Sequence, residues 1–98
     1  MDLKPCVFLD RDGTIARNVP YCSSVADFDL LQVAAKAIQL LKDHGFLVVV
    51  VTNQSGVGRG MFTEATLHEI HTHMLKILAL QKAPVDAVYY CPHLPEEG

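Results

Sequence analysis

Two carboxylates stand two residues apart in Asp10-Arg11-Asp12-Gly13-Thr14, directly after the apolar run Cys6-Val7-Phe8-Leu9. If that run is a strand, the pleat aims both carboxylates to one side. Such a pair can hold Mg²⁺, a hard cation that takes oxygen ligands. One carboxylate can also act as a nucleophile while the other moves a proton. The competing reading is a solvated turn, because Asp-Gly is a common turn dipeptide. Spacing alone leaves both open. An EF-hand loop is excluded, since Thr14 and Ile15 stand where an acid or amide and a glycine are required.

A second polar cluster, Thr52-Asn53-Gln54-Ser55-Gly56, follows the most hydrophobic run of the chain. Hydroxyl, amide and backbone N–H groups in that place can receive phosphate oxygens. A mobile connecting loop is the competing reading. The glycines that follow match neither nucleotide-binding pattern: Gly56-Val57-Gly58-Arg59-Gly60-Met61 lacks the last glycine of G-x-G-x-x-G, and no Gly-Lys-Ser/Thr occurs.

A third cluster, Cys91-Pro92-His93, supplies two zinc ligands where a structural site needs four. Cys6 lies at the far end of its strand, and Cys22, in the loop after that strand, is the one cysteine left that could join. His68-Glu69-Ile70-His71-Thr72-His73 looks like H-E-x-x-H, but its second histidine falls one position early. A solvated helix face is expected for these histidines.

Clusters at strand ends need strands and helices to hold them there. Cys6 to Leu9 reads as a short buried strand, and Arg17 to Asp29 as irregular chain. Ala34, Ala37, Ile38 and Leu41 share one face of a helix, closed by Gly45 at the position of a left-handed cap. Phe46 to Val51 is apolar throughout and reads as a second strand, with Thr52 to Gly60 as a loop. Thr63 is the expected N-cap of a second helix, with Phe62 and Leu67 as its hydrophobic staple. Leu67, Ile70, Met74, Ile77 and Leu78 form that helix's apolar stripe, and Val85 to Tyr90 reads as a third strand.

The order β-α-β-α-β predicts an α/β fold, a Rossmann-like parallel sheet whose right-handed crossovers put both helices on one face. Val48 to Val51 nevertheless ask for cover on both faces. The expectation is the amino-terminal half of a doubly wound domain, over residues 1–98, able to self-associate through its uncovered edge and face.

Composition narrows the function classes. The chain has 98 residues, 50% hydrophobic and 19% charged, with a net charge of −3. It has no basic run to meet a nucleic-acid backbone and no apolar stretch of about 18 residues to span a membrane. Three cysteines at irregular spacing argue against a disulfide framework and for a reducing, cytoplasmic setting.

Taken in order, FLDRDGTI, VVVVTNQSGVGRG, FTEA and YYCPH resemble the haloacid dehalogenase-like (HAD) phosphatases. The branch is that of the D-glycero-D-manno-heptose 1,7-bisphosphate phosphatases and the related histidinol-phosphatases. The resemblance implies an Mg²⁺-dependent phosphoric monoester hydrolase that removes the 7-phosphate of a sugar bisphosphate through an aspartyl-phosphate. It implies Asp10 as nucleophile and Asp12 as general acid and base, both as Mg²⁺ ligands. It implies Thr52 as the holder of the transferring phosphoryl group, with Arg11, Asn53, Gln54 and Ser55 lining the site. Asn18, Val19, Pro20 and Tyr21 fall on the substrate-contacting segment, and Cys91 and His93 on half of a zinc loop. The family's later basic and acidic motifs and its Cys-x-Cys pair have no counterpart in these residues. The alternatives are therefore a non-catalytic phosphate- or metal-binding chain, one that needs a partner chain, or a histidinol-phosphatase. The failed glycine patterns disfavour a nucleotide-binding module.

Overall fold

A computed structural model describes residues 3–19 and 21–91. Three strands form one parallel sheet in the order β1 (Cys6–Asp10), β2 (Leu47–Asn53) and β3 (Ala87–Cys91). A 3-10 turn (Val25–Asp27) and helix α1 (Gln32–Asp43) connect the first pair of strands; a one-turn helix α2 (Ser55–Gly58) and helix α3 (Glu64–Leu80) connect the second. The α/β parallel sheet is thus as the periodicity predicts.

The core lies on one side of the sheet. Val48 and Val50 are fully buried there against Ala34, Ala35 and Ile38 of α1 and Ile70, Met74 and Leu78 of α3. The predicted stripe of α1 holds at Ala34, Ile38 and Leu41, but Ala37 is exposed and Ala35 is buried in its place. Among the described residues of 17–29, Val19, Cys22, Val25 and Phe28 pack into the same core as the helices and not on the other sheet face. On that other face Phe8 and Tyr89 are 65% and 64% exposed. Val49, in register with Phe8 and Ala87, is nonetheless buried.

Capping residues set the ends of the elements. Gly45 takes φ +84° after α1, a left-handed conformation that costs glycine little. The Thr63 hydroxyl accepts from the Thr66 amide at 3.1 Å and opens α3. Phe62 and Leu67 on either side of it are both buried, as a staple requires.

Several strand boundaries differ from expectation by one or two residues, and the difference after Val51 bears on the strand ends. β2 runs two residues past Val51 and takes in Thr52 and Asn53, and Ser55–Gly58 coil into a helical turn. The polar types at 52 and 53 suggested a loop, but β3 supplies partners for both, Tyr90 for Thr52 and Cys91 for Asn53.

Candidate active site

The carboxyl ends of the three strands converge on one open cavity. Asp10, the last residue of β1, lines it together with Thr52 and Asn53 from β2 and Tyr89, Tyr90 and Cys91 from β3. Its volume is about 420 Å³. The extension of β2 is what brings Thr52 and Asn53 to this cavity, since Asp10 is in register with Val51. Open parallel sheets place their ligands at this end. Tyr89 and Tyr90 were legible only as strand residues, because nothing in their types marks a site, whereas Cys91 was singled out as a zinc ligand and here lines the cavity.

Asp12 is held from two directions. Arg11 Nε donates to its Oδ1 at 2.9 Å and Nη2 to its Oδ2 at 3.2 Å, a bidentate pair. Gln54 Nε2 donates to Asp12 Oδ2 at 3.1 Å and to Thr52 Oγ1 at 2.8 Å. Gln54 thereby ties the first polar cluster to the second. With Thr52 Oγ1 accepting from Gln54, the threonine O–H is left to donate elsewhere. The Asp12 side chain keeps 28% of its surface open.

Arg11 lies in the interior, 1% exposed. Its guanidinium is committed to Asp12 and, through Nη1, to His71 Nε2 at 3.2 Å. It is not among the residues that line the cavity. His71 corrects the expectation of a solvated histidine face: it is buried on α3, in the stripe of Leu67, Ile70, Met74 and Leu78. The signal was present in the sequence, because position 71 lies four after Leu67 and three before Met74. Burial, with the Arg11 cation second, pushes the His71 imidazole down to about 4. His68, one turn earlier, is exposed and meets the Tyr90 hydroxyl at 3.2 Å.

The remaining candidates are spread out. Ser55 begins α2 and is half-buried. Asn18 and Tyr21 are exposed and Val19 packs on the core, with Tyr21 at φ +49°; none of the three lines the cavity at Asp10. Cys22 is buried, its thiol donating to the Ser24 carbonyl at 3.7 Å, and burial pushes that thiol up. This is the setting of a core thiol rather than a metal ligand. Cys91 is exposed at the end of β3. Pro20 and His93 lie outside the described residues. Among the described residues no group of three or more His, Cys, Asp or Glu side chains is gathered for a metal.

Known proteins match this arrangement along the chain. A probable D-glycero-D-manno-heptose-1,7-bisphosphate 7-phosphatase of Thermoplasma volcanium is 43% identical over 94% of the chain. The D-glycero-beta-D-manno-heptose-1,7-bisphosphate 7-phosphatase of Escherichia coli K12 is 44% identical over 94%. A solved D,D-heptose 1,7-bisphosphate phosphatase from B. bronchiseptica, complexed with magnesium and phosphate, superposes with TM-score 0.89 at 38% identity, over 96% of this chain and 53% of its own. The chain is a homologue of the HAD heptose bisphosphate phosphatases. This homologue spans 63% of the T. volcanium protein and 48% of the E. coli one. No protein-family model matches it. No helix among its described residues is long and apolar enough to cross a membrane.

Proposed function

We propose that this chain carries the nucleophile and phosphate-binding part of an Mg²⁺-dependent sugar-phosphate phosphatase, of the heptose 1,7-bisphosphate type acting at position 7. The observation that carries the reading is the meeting of Asp10 and Thr52 in one cavity, with Asp12, outside its lining, held by Arg11 and tied to Thr52 through Gln54.

In this mechanism an Asp10 carboxylate oxygen attacks phosphorus, and the bond from phosphorus to the sugar oxygen breaks. Asp12 gives its proton to that leaving oxygen. A water molecule, losing a proton to Asp12, then attacks the aspartyl-phosphate, which restores Asp10 and releases inorganic phosphate. Thr52 donates its hydroxyl to the transferring group, Asn53 lines the cavity beside it, and Gln54 and Ser55, outside the lining, support it, Gln54 through its bonds to Thr52 and Asp12. Arg11 acts on the site through Asp12. Asn18, Val19, Pro20 and Tyr21 contact the sugar.

Asp10 and Asp12 suit Mg²⁺, which is commonly held by one or two carboxylates together with substrate phosphate and water. Bound there, the ion neutralises charge on the phosphate and on the attacking carboxylate. Cys91 and His93 would give half of a structural zinc site. The setting is cytoplasmic, and the domain assignment is a HAD-like phosphatase domain over residues 1–98.

A second reading has its own support. Among the described residues no lysine or arginine lines the cavity, because the Arg11 guanidinium is turned to Asp12 and His71. Phosphoryl transfer depends on such charge stabilisation. The same site would then bind a phosphate monoester without turning it over, or turn it over only with a partner chain.

Phosphate release from heptose bisphosphate and from histidinol phosphate, with Mg²⁺ and with EDTA, tests these readings. Turnover that needs Mg²⁺ and vanishes in Asp10→Asn is expected, with heptose bisphosphate preferred. Activity equal to the parent in Asp10→Asn would remove Asp10 from its role. Saturable phosphate binding without turnover would favour the second reading, and preference for histidinol phosphate would move the chain to the related branch.

A further inference from the structure

Arg11 is a cation with no exposed surface to speak of, in a chain with little core to spare. Guanidinium stays protonated at any ordinary pH, so its burial is tolerable only where its donors are matched. Here they are. Nε and Nη2 serve Asp12, and Nη1 serves His71 across a sequence separation of 60 residues. Among the described residues no buried side-chain nitrogen or oxygen is left without a partner.

The chemistry of the Arg11–His71 contact has one solution. Guanidinium can only donate, so His71 Nε2 must accept. The imidazole is then neutral with its proton on Nδ1. Burial and the adjacent cation both favour that state. A neutral acceptor rooted in the middle of a 17-residue helix is a rigid stop for the arginine. On its other side the planar fork grips both oxygens of Asp12, which removes freedom about the carboxylate's own torsions.

Resting on the reading of Asp12 as the proton-transfer group, we propose that Arg11 and His71 form a positioning pair. His71 on α3 fixes the guanidinium, and the guanidinium fixes the Asp12 carboxylate, which Gln54 links to Thr52 of the cavity wall. Neither residue lines the cavity at Asp10. Both act through Asp12. The packing of α3 on the sheet thus becomes a determinant of the proton-transfer step.

The test compares His71→Leu, which keeps bulk and removes the acceptor, with His71→Gln, whose amide oxygen can reach the place of Nε2. In the full chain, His71→Leu is expected to lower kcat about tenfold or more, as losses of supporting contacts commonly do. KM for the phosphate monoester should stay within about twofold, because ground-state binding is untouched. His71→Gln should recover most of kcat. Equal losses in both variants, or full kcat in His71→Leu, would overturn the proposal.

A second arm needs no turnover and so separates this proposal from the phosphatase reading. NMR of the parent should show His71 protonated at Nδ1 only and Asp12 in a single χ1 rotamer. The rotamer should become averaged in His71→Leu and return in His71→Gln. An Asp12 rotamer unchanged in His71→Leu would overturn the proposal even in an active enzyme. Should His71→Leu not fold, Arg11→Lys carries the comparison, since it keeps a donor for His71 and loses the fork. It should average Asp12, and an ordered Asp12 there would overturn the proposal.

Discussion

Lys42 Nζ reaches both carboxylate oxygens of Asp86, at 2.8 and 2.7 Å, and so ties the last turn of α1 to the chain entering β3. Asp86 Oδ2 also accepts from the Val48 amide at 2.7 Å. The Lys42 hydrogen bond, then the Val48 amide, holds the Asp86 carboxyl below its usual range. Its contribution to stability is therefore complete above the unfolded value of 3.8 and is lost as pH falls through the lower folded value. The pair is partly exposed and screened. Asp86→Ala should cost about 1 kcal/mol, most of it from the orphaned Val48 amide. Thermal melts at neutral pH check this, and an unchanged midpoint would contradict it.

His71 gives the fold a second acid sensitivity with its own window. In the unfolded chain the imidazole titrates near 6.5, and in the fold near 4, because burial and then Arg11 oppose its charge. Between those values the unfolded chain binds more protons. Stability should be full above 6.5 and fall as pH drops toward about 4. Arg11 bonds the ring and Tyr90 packs on it at 6.0 Å between centroids, while the charges of His68 and Asp12 act on it more weakly. The loss across the window should be about 3 kcal/mol, and His71→Gln should flatten it. Denaturant midpoints at pH 7, 6 and 5 would show the slope; parallel curves for parent and His71→Gln would disprove it.

Gly56 is a packing glycine. A Cβ at this position would run into the ring of Phe62, which is itself buried. Gly56→Ala should destabilise the chain by about 1–3 kcal/mol through overpacking. Gly56→Ala combined with Phe62→Leu should recover part of that loss. A double variant no more stable than Gly56→Ala would mean that the phenyl ring is not the obstacle.

The open sheet face should drive self-association. Phe8 and Tyr89 expose 65% and 64% of their surface beside Val49 and Val51, with β1 and β3 as sheet edges. Apolar patches on unprotected edges invite pairing. Light scattering of the 98-residue chain should show mass rising with concentration. Phe8→Lys with Tyr89→Lys should weaken that rise. A monodisperse parent with a concentration-independent melt would refute the expectation.

Local chemistry was enough for much of this molecule. Asp10 at a strand end, the four valines of β2, the Thr63 cap and the Gly45 stop all follow from neighbours within one turn or one strand. Their causes are short-range: periodicity, backbone freedom and capping. Crossover handedness puts both helices on one face only if the strands progress in one direction, and the β1-β2-β3 order that meets this condition came from the tertiary structure.

Only tertiary structure decided the rest. Arg11 read as a residue free to meet substrate, yet its guanidinium is buried, because α3 brings His71 to it. Thr52 and Asn53 read as loop until β3 supplied a ladder for them. Gly56 owes its place to a ring six residues on. These are pairings between side chains whose partners are chosen by how elements pack. No window of sequence contains both members together with the surface between them.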